Sequence, residues 1–251
     1  MTTVLEVRDI VHAFRGLRVL RGVNFAVPTG RITGLIGPNG AGKSTLFNII
    51  SGFLVPDVGD IVFEGRSMTG RSVQQRSRAG LVRSFQTPQV FRHMTVRDNL
   101  IAGAHKLGSS GVLAGLLRLP TACRDMNVAE QRADESCVAF GLSAVRDQLA
   151  GKLPAGQQRL VELARAALTK PALLCLDEPS SGLNTEEVER LMTAVRRLNA
   201  EGISILLISH DMHVVSLAER IHVLCFGEII ASGSFIEVKV DPRVRDAYLG
   251  G

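Results

Sequence analysis

Tryptophan is missing from this chain, and 251 residues hold one tyrosine and ten phenylalanines. So thin an aromatic complement argues against a stacking surface for single-stranded nucleic acid, which needs a series of π-faces. Cysteine is scarce too: Cys123, Cys137, Cys175 and Cys225 fall at spacings that match no zinc pattern and outline no disulfide framework. They read as small buried apolar residues in a reducing compartment. No apolar run is long enough to cross a bilayer, since the best candidate, VLAGLLRLP at 112–120, is short and contains Arg118. The opening MTTVLEVRDI carries charge and lacks the basic-then-apolar pattern of a secretory signal. Internal repeats are also absent. The expectation is a cytoplasmic chain whose membrane role, if it has one, runs through a partner.

What is present is a positive balance, +5 formally, carried largely by arginine. Arg66, Arg71, Arg76, Arg78 and Arg83 crowd one stretch, read as a solvated face because excess charge speaks to solubility and loose association before it speaks to fold. Nucleotide phosphates, anionic lipid or a partner protein are its other possible counterparts. A chain of this length predicts one large α/β domain or a core with a smaller lobe. Val23, Phe25 and Val27 alternate as a strand, and RITGLIG reads as a strand running into a glycine loop. KSTLFNIISGF then has helical spacing and ends at Gly52, a candidate C-cap. IVFEGRSM, at 61–68, reads as another strand. From about 88 to 155 the pattern turns helical, broken by glycine and serine as in KLGSSGVLAG. Strand and helix alternate thereafter. Leu160, Leu163, Ala164, Ala167 and Leu168 form one apolar helix face, ALLCL, ISILLIS and IHVLCF read as buried strands, and Thr185 to Asn199 reads as a helix. Such alternation predicts a mostly parallel sheet wrapped by helices.

Two motifs carry chemistry. GPNGAGKST, comprising Gly37, Pro38, Asn39, Gly40, Ala41, Gly42, Lys43, Ser44 and Thr45, fits the phosphate-loop pattern and lies between a predicted strand and a predicted helix. Its glycines let backbone N–H groups fold around phosphate oxygens. Lys43 supplies a point charge to the β- and γ-phosphates, and the Ser44 hydroxyl can ligate Mg²⁺. ALLCLDEPSSGLN, at 172–184, delivers Asp177 and Glu178 at the carboxyl end of an apolar strand, where ligands of open α/β sheets bind. Asp177 suits a Mg²⁺ shell and Glu178 suits orientation or deprotonation of an attacking water.

With SFQ at 84–86 and ISH at 208–210 in matching order and spacing, the whole chain resembles the ATP-binding cassette ATPases, the nucleotide-binding subunits of ABC transporters. The resemblance implies a phosphate-loop NTPase core with a mostly parallel sheet, an amino-terminal antiparallel β subdomain and an inserted helical subdomain. The expected division is one ABC ATPase domain, with residues 1–87 and 156–251 as core and 88–155 as the helical part. It implies ATP and Mg²⁺ as ligands, Gln86 as a residue reading Mg²⁺ and water and meeting the membrane partner, His210 as the γ-phosphate switch, and Phe14 as the adenine-stacking aromatic. His93 and His105 are read as having no such role.

LPAGQ, at 153–157, stands where the family has its signature sequence, usually LSGGQ, which reaches across a dimer to the other subunit's γ-phosphate. Ala155, Gly156 and Gln157 inherit that contact. Pro154 gives up the serine hydroxyl and a backbone donor, and Ala155 replaces a glycine. Finer resemblance, in LPAGQQRLVELARA, FRHMTVRDNL, GVLAGLLRLPTACR, SSGLN and DPRVRDAYLG, is to ATPases of branched-chain amino acid importers. Systems for urea or amides, aromatic acids or lipopolysaccharide export, and non-transport ABC ATPases acting on ribosomes or DNA, are the alternatives. The implied partners are a second, identical or homologous cassette, membrane permeases that Pro88, Val90 and Phe91 would meet, and indirectly a substrate-binding protein. No nucleic acid is expected as a partner, and the chain is expected on the cytoplasmic face of the membrane.

Overall fold

The computed structural model describes residues 2–104 and 120–249. The Arg118 segment, KLGSSGVLAG, most of GVLAGLLRLPTACR, His105 and the Cys123 side chain lie outside the described residues. The backbone groups into two units: Met1–Gln86, Pro171–Ser181 and Val195–Gly251 form the first, and Thr87–Lys170 with Gly182–Ala194 the second.

The first unit contains two sheets. In one, β1 (Thr3–Phe14), β2 (Leu17–Pro28), β4 (Val58–Phe63) and β5 (Arg66–Ser67) pair antiparallel in the order β2-β1-β4-β5. The stretch expected as a single strand at 61–68 is a hairpin instead, because Glu64 and Gly65 both take positive φ and reverse the chain between β4 and β5. The other sheet runs β10-β9-β3-β8-β7-β6, from β3 (Ile32–Ile36), β6 (Leu81–Arg83), β7 (Leu173–Asp177), β8 (Ser204–Ile208), β9 (Arg220–Cys225) and β10 (Glu228–Gly233). Its neighbours pair in parallel except β10, which returns antiparallel along β9. Every residue of β3 and β8 is buried, and apart from Thr33 and Ser204 they form the near-continuous apolar run of strands covered on both faces.

Helix α1 (Lys43–Ser51) follows β3 and buries Leu46, Phe47, Ile49 and Ile50 in a core shared with residues of both sheets, among them Leu5, Ile10, Phe63, Leu206 and Leu224. Each such side chain, taken wholly from water, contributes about 1.5–3 kcal/mol. Gly52 ends α1 in the left-handed conformation, as its position predicts. The short helix α2 (Val73–Ala79) opens on a capping box between Ser72 and Gln75. It carries Arg76, expected on a solvated face but only 1% exposed. Its guanidinium donates to the carbonyls of Ile49, Ile50 and Met68, each at 2.7 Å, so it satisfies the last turn of α1 from within the core. Burial pulls its pKa down to about 10, with Asp60 opposing.

The second unit is helical: α3 (Val96–Ala104), α4 (Pro120–Ala139), α5 (Ala155–Leu168) and the first turns of α6 (Thr185–Ala200). Arg97 of α3 forks onto Asp134 of α4 at 2.9 and 3.1 Å. Leu160, Leu163 and Ala164 of α5 are buried as the 3.6-residue spacing predicts. Asn99, fully buried on α3, accepts from the Phe91 N–H at 2.8 Å and donates to the Phe91 carbonyl at 3.1 Å, which fastens the loop that follows Gln86. The remaining short helices, α7 (Met212–Val215), α8 (Phe235–Val240) and α9 (Pro242–Leu249), belong to the first unit. Among the described residues no helix is long and apolar enough to cross a membrane.

Candidate functional site

Parallel pairing brings three strand ends together. Leu35 of β3 and Asp177 of β7 both register with Ile208 of β8, so the loops after these strands open at one edge. Those loops carry GPNGAGKST, Glu178 and His210. Together with Phe14, Val19 and Gln86 they line a cavity of about 590 Å³. Asn39, Gly40, Ala41, Gly42, Lys43, Ser44 and Thr45 border it, with Asp177 and Glu178. Gly37 and Pro38 complete the loop behind Lys43, whose ammonium donates to their carbonyls at 2.7 and 2.9 Å. Burial draws the Lys43 pKa below the usual lysine range, and Glu178 acts against that.

The glycines answer to specific demands. A Cβ on Gly37 would stand 2.0 Å from the Leu224 carbonyl oxygen, so only glycine fits against β9. Gly42 caps α1 at φ 105°, in the left-handed region. No side chain caps the start of α1 and no acidic residue lies in its first turn. Its amide N–H groups and the positive end of its dipole therefore suit an anion.

Glu178 holds a left-handed backbone, φ 46°, uncommon for a residue with a side chain. Its N–H donates to the Ile208 carbonyl at 2.9 Å, and its Oε2 lies 2.8 Å from Nδ1 of His210. The Glu178 side chain is largely buried and that of His210 exposed. Asp177 is bound by Arg83 of β6, Nη2 to Oδ2 at 2.6 Å, with both side chains nearly buried. The Arg83 contact gives no signal in the sequence, where this residue reads as one more charge in a basic stretch.

Among the described residues no three His, Cys, Asp or Glu side chains cluster as a metal cage. A cation at Ser44, Gln86 and Asp177 therefore requires phosphate oxygens to complete its shell, the way Mg²⁺ enters nucleotide sites. A pocket with one aromatic at its rim, a helix start, an ammonium and two carboxylates fits a nucleoside triphosphate with a divalent cation. Phe14 is half-exposed at that rim, edge-on to His12 at 4.7 Å.

The first unit also contains an apolar cavity of about 310 Å³ lined in part by Ile36, Val244 and Tyr248 of α9. Burial pushes the Tyr248 phenol up, and the Gly37 backbone opposes. Val19 and Tyr248 are neighbours of the phosphate loop to which the sequence reading gave no role in the site.

Ala155, Gly156 and Gln157 lie in the second unit, in the first turn of α5, with Pro154 as N-cap at φ −54° and ψ 155°. No side chain caps this helix start, so it too presents free amides. In the loop after Gln86, Phe91 is half-exposed beneath the Arg165 guanidinium, 4.7 Å from the ring centre, and Arg165 also donates to the Gln89 carbonyl. The Gln89 N–H donates to Glu162 at 3.2 Å, and Glu162 pairs with Arg159 at 2.6 Å inside the unit.

Comparison with known proteins agrees with this geometry. The family model described as ABC transporter matches residues 20–181, and that described as branched-chain amino acid ATP-binding cassette transporter matches residues 228–251. The chain is similar to the high-affinity branched-chain amino acid transport ATP-binding proteins BraF of Pseudomonas aeruginosa, 37% identical, and LivG of Escherichia coli K12, 38% identical, each over 98% of both chains. Among solved structures it is similar to the ADP conformation of MJ1267, an ATP-binding cassette of an ABC transporter, with a TM-score of 0.85 and 34% identity over the whole of both chains. With matches spanning nearly its full length, the chain belongs to the ABC transporter family, as one of its ATP-binding cassettes.

Proposed function

We propose that this chain is the ATP-hydrolysing subunit of an importer of branched-chain or closely related hydrophobic amino acids. The observation that carries the catalytic part is the meeting of Lys43, Asp177, Glu178 and His210 around one cavity at the ends of β3, β7 and β8. The match of its last 24 residues to the branched-chain cassette model supports the cargo class. In this reading Phe14 stacks on adenine and the amides from Gly40 to Thr45 bind the phosphates while Lys43 shifts from the Gly37 and Pro38 carbonyls to the γ-phosphate. Ser44, Asp177 and Gln86 would hold the Mg²⁺ that comes with the nucleotide, which would supply positive charge to the phosphate oxygens. Glu178 orients water and takes its proton as the oxygen attacks the γ-phosphorus and ADP leaves. His210 steadies the Glu178 carboxylate from one side and faces the γ-phosphate on the other.

The two units correspond to the core and the signature-bearing part of one cassette. Ala155, Gly156 and Gln157 serve the γ-phosphate held by a second cassette, identical or homologous. Pro88, Val90 and Phe91 meet a membrane permease, which would keep the chain peripheral on the cytoplasmic face.

The test is uptake of labelled leucine, isoleucine and valine by cells lacking the gene. Loss of uptake, restored by the wild-type gene and not by Glu178→Gln, supports the reading. Unchanged uptake of all three, with loss of urea or aromatic acid uptake, overturns the cargo assignment.

A further inference from the structure

The Arg83 side chain is 8% exposed, and its guanidinium ties two elements to its own strand, β6. Nη2 donates to Asp177 Oδ2 at the end of β7, while Nη1 donates to Asn48 Oδ1 at 2.7 Å and Ser51 Oγ at 2.8 Å on α1. Phe47, Phe53 and Phe85 surround the cation, with ring centres 5.6, 5.7 and 5.3 Å away. Each tethered element also brings one of the residues that would hold a divalent cation. Helix α1 carries Ser44 in its first turn, β7 ends in Asp177, and β6, which ends in Arg83, leads in three residues to Gln86. A lysine could not fill this place, since only the planar fork reaches a carboxylate and two α1 side chains together while lying among aromatic rings.

From this juxtaposition we infer that Arg83 is a positioning residue for the divalent cation of the nucleotide site. It holds one oxygen of Asp177, leaves the other to the cavity, and locks the spacing between the strand of Asp177 and the helix of Ser44. The inference rests on the ATPase reading above and adds a residue outside the phosphate loop and the carboxylate strand. Residues that hydrogen-bond a metal ligand act in this manner, and their loss weakens cation binding without touching the ligands.

The experiment measures binding of fluorescent ADP to the purified full chain, without divalent cation and with Mn²⁺, and follows bound Mn²⁺ by electron paramagnetic resonance. For Arg83→Met, ADP affinity without cation stays within about twofold of wild type, while the gain that Mn²⁺ confers falls by about tenfold. Arg83→Lys recovers a minor part of that gain. The double variant Asn48→Ala with Ser51→Ala keeps the ion pair but removes its anchor on α1, and loses about threefold of the gain. It decides the matter by the same ratio if Arg83→Met does not fold. A full Mn²⁺ gain in both variants overturns the inference, as do equal losses with and without cation, which mark a general structural role. A wild-type chain that binds no ADP overturns the ATPase reading instead.

Discussion

Gly156 does not owe its place to backbone freedom, for it lies in the first turn of α5 without positive φ. It owes it to space. A Cβ there would stand 2.4 Å from Oε1 and 2.5 Å from Cδ of Glu187, which sits over it from the first turn of α6. Glu187 is not free to step aside, because its carboxylate accepts from the Asn184 N–H at 3.0 Å while its own N–H donates to Asn184 Oδ1 at 3.0 Å. Gly156→Ala therefore dislodges one half of a reciprocal cap, worth about 1 kcal/mol, and some packing with it. The gain in helix propensity, below the ~1 kcal/mol of a helix interior, offsets only part of this, for a net cost of about 1 kcal/mol. In a Glu187→Ala background the obstacle is gone, and the same change becomes neutral or stabilising by a few tenths. Urea unfolding of the four proteins gives the coupling, expected at about 1 kcal/mol, provided the slopes agree. An unchanged cost of Gly156→Ala without the Glu187 side chain would refute the steric account.

Other outcomes follow from the same contacts. Glu178→Gln lowers phosphate release by the assembled complex by about 10²–10⁴-fold while fluorescent ATP binding persists, and residual activity near wild type removes Glu178 from the chemistry. Arg76→Met takes the guanidinium from the carbonyls of Ile49, Ile50 and Met68; Ile49 keeps the Gly52 N–H and Met68 the Arg71 N–H, so the Ile50 carbonyl bears most of the loss, about 1–3 kcal/mol in denaturant unfolding. A loss below about 1 kcal/mol would mean water replaces the guanidinium. His222, 3% exposed and hydrogen-bonded to Ser232 at 2.7 Å, has its pKa drawn down to about 4, by burial first and then by Arg220. The unfolded chain takes up this proton near pH 6.5 and the folded chain does not. Stability should thus be full above that pH and fall by about 3 kcal/mol as pH drops to 4. His222→Gln should flatten that part of the pH profile.

Much of this site is legible in sequence because its work is done by local backbone. A phosphate loop needs glycines at fixed offsets between a strand and a helix, and GPNGAGKST states those offsets directly. Asp177 and Glu178 were legible for a similar reason, as charges ending a run of apolar residues too short for anything but a buried strand. What stayed hidden depends on partners distant in the chain. Arg76 and Arg83 look like surface charge until the carbonyls of α1 and the carboxylate of Asp177 are seen to enclose them. The need for glycine at 156 is set by Glu187, which no local pattern connects to it. The Glu64–Gly65 reversal was available, since a glycine that ends the apolar run Ile61–Phe63 and is followed by the polar pair Arg66–Ser67 is a turn signal.

The contacts of Glu162 and Arg165 have a mechanical meaning. Both residues belong to α5, and both grip the stretch around Gln89 and Phe91 through a carboxylate, a guanidinium and a ring. Asn99 clamps the same stretch from α3, so the loop has little slack against the helices beneath it. A force applied at Phe91 would therefore be felt by α5, whose first turn carries Gly156 and Gln157.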